Sequence, residues 1–341
     1  MKRNQFVDTI KAILIILVVM GHSIQYGGGA YYLNNDLYYD NYLFRAIYTF
    51  HMPMFMILSG FFFGYTNNNN LRTIICSRLK SIGIPFVAYC TILYFVWWYS
   101  NDISEFYVSD FIRKMKINMW FLSSVLVNSL IVAIGYYLLK SYSSLLLIFI
   151  FFLLFFIPDE KVYAPHKYMY LFFVVGYWLN DRHGVKDAIN RWIDNKWLVL
   201  LLLISFVLIV YSYDECMFIY KGGFCIMTGF GIDYNMLFLD VLRFIEGFIC
   251  CLFFLSIMKK YHILLNNFHL GFLGKNTLGL YGFQCVLFAL LNELHCPALI
   301  SINHARPFCM FAVVMILSVS LVWLCSNNNL LSMLFLGKIR R

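Results

Sequence analysis

Charge is scarce in this 341-residue sequence: Asp, Glu, Lys and Arg together make up 13% of it, against roughly a quarter in soluble domains. Apolar residues account for 62%, more than a water-soluble core absorbs. The polar breaks between apolar stretches are short, so no segment reads as a separate soluble domain, and residues 1–341 are expected to form one integral membrane domain. The basic residues form no continuous face, which excludes a nucleic-acid partner despite a formal net charge of +9. None of the ten cysteines belongs to a CxxC pair with zinc-ligand spacing, so no metal site is read. Most of them, including Cys90, Cys250, Cys251, Cys285 and Cys325, lie inside apolar segments and are expected to pack there. Cys216 and Cys225 share one loop, where a disulfide is left open. No convincing small-residue cleavage site follows the first apolar run, which is therefore read as a retained helix.

What the sequence has is a succession of apolar runs, and a bilayer-spanning helix needs about 20 mostly apolar residues. The pattern predicts an all-α, polytopic transmembrane bundle of about ten helices, at 9–27, 45–65, 82–100, 119–139, 144–157, 167–180, 196–212, 235–258, 275–294 and 307–326. The fifth and sixth are short for a span. Cytoplasmic loops retain an excess of Lys and Arg. Placing the N-terminus inside puts seventeen of these residues on the inner side and eight on the outer, with Arg243 within a helix. Both termini are therefore expected in the cytoplasm.

An ionisable group at membrane depth costs a few kcal/mol even on lenient scales, so each one requires a reason. Lys11 and His22 are separated by three helical turns plus about 20°, which puts both on one face about 16 Å apart along the axis. The spacing predicts Lys11 near the inner surface and His22 deep in the bundle. His51 lies in the run Phe50-His51-Met52-Pro53-Met54-Phe55. Pro53 cannot donate to the Thr49 carbonyl, so a kink or a freed acceptor is expected beside His51. A single buried histidine is as readily a packing residue as a functional one. Two on consecutive helices shift the balance to function, since such helices tend to be neighbours. Arg78 and Lys80, at the entrance to the third helix, are candidates to hold phosphates of a cytosolic donor. Arg72 is read as simple inner-side bias. Asp240, Arg243 and Glu246 recur every three residues, a spacing at which neighbours pair across a turn. Structural pairing is the main expectation for these three, with Arg243 and Glu246 also candidates to contact an acceptor.

These residues are arranged as in the membrane acyltransferase-3 family. The stretch from Phe6-Val7-Asp8-Thr9-Ile10-Lys11 through Val18-Val19-Met20-Gly21-His22 resembles that family's opening helix, with its basic residue, ten intervening positions and a histidine. Phe50-His51-Met52-Pro53-Met54-Phe55 with Leu58-Ser59-Gly60 resembles its second signature. Weaker echoes follow in Arg78 to Pro85, in Met119-Trp120-Phe121-Leu122, and in Leu273-Gly274-Lys275-Asn276-Thr277 through Tyr281. The sequence departs from the pattern twice. Ser81 stands where relatives often carry a second arginine, and Gln284 where they often carry a histidine, so no proton-transfer role is carried to position 284.

The resemblance implies an O-acyltransferase, multi-pass in the cytoplasmic (inner) membrane. It would move an acyl group, acetyl above all, from cytosolic acyl-CoA to a hydroxyl of an extracytoplasmic polysaccharide or glycan. Arg78 and Lys80, with Lys11, would take the coenzyme phosphates. His22 would act as general base or transient acyl carrier, and His51 would orient it or stabilise the oxyanion. Tyr31 and Tyr32, with Tyr38 and Tyr39, lie in the first outer loop and are the candidates for contact with the acceptor sugar. The rivals are a glycan or lipid transporter, for which no internal repeat is found, and a membrane subunit without catalysis.

Overall fold

A computed structural model describes residues 5–27, 37–64, 70–101, 107–117, 119–158, 163–181, 183–228, 231–266, 268, 270–300 and 305–338. They are helical throughout, apart from turns and one antiparallel ribbon, β1 (Met227–Thr228) paired with β2 (Gly231–Ile232). The helices are α1 (Gln5–Gly27), α2 (Tyr42–Tyr48), α3 (His51–Gly64), α4 (Leu71–Arg78), α5 (Ile84–Ser100), α6 (Val108–Ile117), α7 (Trp120–Leu139) and α8 (Ser143–Phe156). They continue with α9 (Ala164–Asp181), α10 (His183–Asp194), α11 (Lys196–Ser212), α12 (Ile219–Gly222), α13 (Tyr234–Asn266), α14 (Gly271–Lys275), α15 (Thr277–Glu293), α16 (Arg306–Ser326) and α17 (Asn329–Leu336).

Each of the ten expected segments coincides with one of these helices or a consecutive pair. Among the described residues six stretches are long and apolar enough to cross a bilayer: Gln5–Gly27, Tyr42–Gly64, Leu71–Ser100, Trp120–Leu139, Tyr234–Leu265 and Arg306–Ser326. The apolar α8 and α11 are shorter, at 14 and 17 residues. Two of the six are interrupted. The second breaks at Thr49–Phe50 between α2 and α3, where Pro53 leaves the Thr49 carbonyl without its helical donor. The third contains a π-helical turn, Leu79–Gly83, between α4 and α5.

Packing divides the chain into two compact units. Unit 1 comprises residues 1–48, 79–119 and 261–341; unit 2 comprises 49–78 and 120–260. In unit 1, α1 packs on α14, α15 and α16, and α5 packs on α15 and α17. The π turn has a cause here. Pro85 lacks the N–H that would bond the Ser81 carbonyl, and Gly337, at φ 63° just past α17, lies directly against that carbonyl, where any Cβ would collide. Tyr89 ties the same elements together, donating its hydroxyl to the carbonyls of Gly279 at 3.2 Å and Phe335 at 3.1 Å.

Unit 2 is built on α3 against α9. A Cβ at Gly60 would strike the Phe173 carbonyl and one at Gly176 the Ile57 carbonyl, so the two backbones touch, as small residues allow in membrane helices. One turn on, Asn180 donates from Nδ2 to the Phe61 carbonyl at 2.8 Å and covers Gly64. Cys216 and Cys225 are separate thiols.

Candidate active site

His22 lies in the second half of α1, half-buried, with its ring edge-on to Tyr26 at 5.8 Å and to Phe288 at 6.4 Å. Tyr26 and Phe288 stack on each other at 6.0 Å. Behind them Val19, Leu287, Met310 and Val314 form the apolar wall of this corner of unit 1. Into it α15 projects one polar side chain. Gln284 Oε1 stands 2.8 Å from His22 Nδ1. Gln284 Nε2 donates to the Tyr281 carbonyl at 3.1 Å and lies 2.9 Å from Cys285 Sγ. These contacts fix which end of the amide faces the imidazole, so the oxygen is an acceptor and Nδ1 carries the proton. Nε2 is thereby left with its lone pair, which is the form a general base requires.

The glutamine thus does work that spacing did not assign to it. Its position was marked only by the absence of a histidine, and the partner is 262 residues away in sequence. It orients the ring and selects the tautomer without contributing a charge.

The basic candidates are distributed between the units. Lys11 is half-buried on α1, and Lys80 is exposed on the π turn of unit 1. Arg78 closes α4 in unit 2, its guanidinium carbon 4.8 Å from the centre of the Phe63 ring, a cation–π contact that holds the head group in place. π-helical turns concentrate at functional positions, and this one carries the lysine read as a phosphate ligand. In the later motif Asn276 accepts from Lys338 Nζ at 2.5 Å and donates to the Phe272 carbonyl at 2.9 Å, so it joins the end of α14 to the segment after α17.

In unit 2, His51 is the first residue of α3 and is 8% exposed. The residue before it is held by α13: Phe50 stacks on Phe254 at 4.8 Å and its carbonyl accepts from Cys251 Sγ at 3.7 Å. Arg243 and Asp240 are paired as their spacing predicts, Nη1 to Oδ1 at 2.6 Å, and are 2% and 0% exposed. The guanidinium also donates to the Gly223 carbonyl at 2.6 Å and to the Cys216 carbonyl. Arg243 therefore fastens the loop between α11 and α13. Glu246, one turn on, is buried, and its Oε2 has no hydrogen-bond partner.

Tyr31 and Tyr32 lie outside the described residues. Tyr38 and Tyr39 are buried, their rings 4.3 Å apart and packed on Phe44, so neither offers a face to a sugar.

Long apolar helices with an oriented imidazole among them define a membrane protein that keeps an ionisable side chain inside its helical body. The chain belongs to the acyltransferase-3 family, whose model, described as an acyltransferase domain, matches residues 4–327. It is 33% identical over 136 residues to Nodulation protein NolL of Sinorhizobium fredii, covering 36% of this chain and 34% of the relative. It is 32% identical over 93 residues to Nodulation protein NolL of Mesorhizobium japonicum, covering 27% of this chain and 24% of the relative. The chain thus matches about a third and a quarter of the lengths of these relatives. No solved structure matches it.

Proposed function

We propose that the protein is an integral membrane O-acyltransferase that carries an acyl group, acetyl above all, from cytosolic acyl-CoA to a hydroxyl of an extracytoplasmic polysaccharide or glycan. In this reading it resides in the inner membrane as a bundle of about ten helices with both termini in the cytoplasm. The observation that carries the proposal is the Gln284 contact, which leaves His22 with a basic Nε2 inside an acyltransferase-family domain.

The acceptor hydroxyl gives its proton to His22 Nε2 as its oxygen attacks the thioester carbonyl. The tetrahedral intermediate collapses with loss of the thiolate, and the proton passes from the imidazolium to the sulfur. The products are an ester and free coenzyme thiol. His51 orients the reacting groups or stabilises the oxyanion. Lys11, Arg78 and Lys80 hold the coenzyme phosphates, charge-assisted contacts suited to a donor entering from the cytosol. On the acceptor side Tyr31 and Tyr32 contact the sugar. Arg243 fixes the loop over which it arrives, and Glu246 offers a carboxylate to its hydroxyls.

The test is thiol release from acetyl-CoA by the purified protein in the presence of cell-surface glycan. Wild type releases thiol and His22→Ala does not, while both elute as the same folded species. Release at the wild-type rate from His22→Ala removes the base assignment. A wild type that consumes no thioester turns the reading toward a glycan or lipid transporter.

A further inference from the structure

Among the described residues an aromatic surface stands at the end of unit 2 formed by the N-termini of α7 and α9 and the loop between α11 and α13. On the charge distribution this is the outward-facing end. Trp120 opens α7, directly after Met119, whose φ of 53° is uncommon for a residue with a side chain. Two rings stand almost perpendicular to its indole: Tyr220 at 5.8 Å and 81°, and His166 at 6.5 Å and 85°. Tyr163 adds a fourth ring 6.5 Å from His166. Tyr220 is 38% exposed, and Trp120, Tyr163 and His166 are half-buried.

The corner also has an oriented polar atom. The Ser124 hydroxyl lies 2.8 Å from the Trp120 carbonyl. Its oxygen is 2.7 Å from His166 Nδ1, so the ring is held through Nδ1 and Nε2 is the nitrogen turned away from Ser124.

Its third feature is rigidity. Tyr220 sits on α12, between two clamped carbonyls. Arg243 holds those of Cys216 and Gly223, and Lys167, itself 4% exposed, donates to the next carbonyl, Phe224, at 2.8 Å and to Ile157 at 2.7 Å. Phe218 and Phe224 on either side are fully buried. Two buried cations on adjacent carbonyls keep one tyrosine in place against one tryptophan. A clamped ring binds without first losing its own conformational freedom.

We propose that Trp120, Tyr163, His166 and Tyr220 form the binding corner for one pyranose ring of the acceptor glycan. The C–H face of the sugar lies on the aromatic walls, and a hydroxyl hydrogen-bonds His166 Nε2. Large amphipathic rings with one well-placed polar atom are the usual composition of a small-ligand site. This deepens the proposed function, since it rests on the acceptor being a glycan.

The experiment is saturation-transfer NMR on the full chain in nanodiscs, with a panel of methyl hexopyranosides as probes. Wild type is expected to saturate ring C–H protons of at least one of them. Trp120→Ala and Tyr220→Ala should weaken that binding about tenfold, or about 1.4 kcal/mol. Trp120→Phe should retain most of it, and keeps the proposal testable should the alanine variant not fold. Sugar binding unchanged in Trp120→Ala and Tyr220→Ala, or absent from the wild type, overturns the corner and leaves the rings as belt and packing residues. Thiol release separates the two readings. Sugar binding that depends on these rings, without thioester consumption, upholds the corner and removes the acyltransferase. Thiol release with an unchanged acceptor KM in the alanine variants removes the corner and leaves the enzyme.

Discussion

His22 Nδ1 and Gln284 Oε1 are 2.8 Å apart, joining α1 to α15. The glutamine's own donor is occupied by the Tyr281 carbonyl, so the pair has one direction, from imidazole N–H to amide oxygen. Gln284→Ala should leave the ring in place but release its tautomer and orientation. Loss of one such hydrogen bond is worth about 1–3 kcal/mol, so thiol release is expected to fall by about ten- to a hundredfold with little change in KM for acyl-CoA. A rate within twofold of wild type would mean that the contact is structural only.

Arg78 and Lys80 are expected to act on the donor alone. Removing a charge-assisted phosphate contact costs roughly 1.5–3 kcal/mol. Arg78→Ala and Lys80→Ala should each raise KM for acyl-CoA by about tenfold or more and leave KM for the glycan unaltered. The exposed Lys80 is the cleaner variant, because Arg78 also packs on Phe63. Steady-state kinetics with each substrate varied in turn decide this.

The touching backbones of α3 and α9 make a stability prediction independent of catalysis. Gly176→Leu places a branched side chain where the Ile57 carbonyl already lies. Overpacking of this kind costs typically 1–3 kcal/mol, and here the obstacle is backbone, so the upper end or more is expected. A lowered thermal midpoint in detergent is the readout, and a midpoint equal to wild type would contradict the close approach.

Arg243→Ala leaves Asp240 buried without its cation and frees two loop carbonyls. Breaking one side of a buried pair costs about 3–5 kcal/mol. The variant should unfold at lower temperature and become sensitive to proteolysis between residues 214 and 224. Arg243→Ala combined with Asp240→Asn should recover part of the midpoint but not the loop protection, since the carbonyls of Cys216 and Gly223 still lack their donor.

What was legible in the sequence follows the range of the interaction that determines it. Apolar runs place helices locally, and a helix or pair of helices lies at every segment they marked. Pro53 announced the break at Thr49–Phe50 because the acceptor it leaves is only four residues away. Asp240 and Arg243 were paired by their spacing. The π turn was not legible, because Pro85 frees a carbonyl but the residue that settles against it is Gly337, far along the chain. Gln284 was hidden for the same reason. Tyr38 and Tyr39 looked available because a loop tyrosine usually is, and only the packing around Phe44 shows otherwise. The loop carbonyls that Arg243 and Lys167 hold have no signature in side-chain pattern at all.

An amide cannot ionise under physiological conditions, and that neutrality sets the proton accounting of the proposed reaction. With Gln284 as its neighbour, His22 has no carboxylate there with which to keep the imidazolium form between turnovers. The proton lifted from the alcohol has to leave with the coenzyme sulfur in the same cycle. Acyl transfer would then run without net acid release into either compartment.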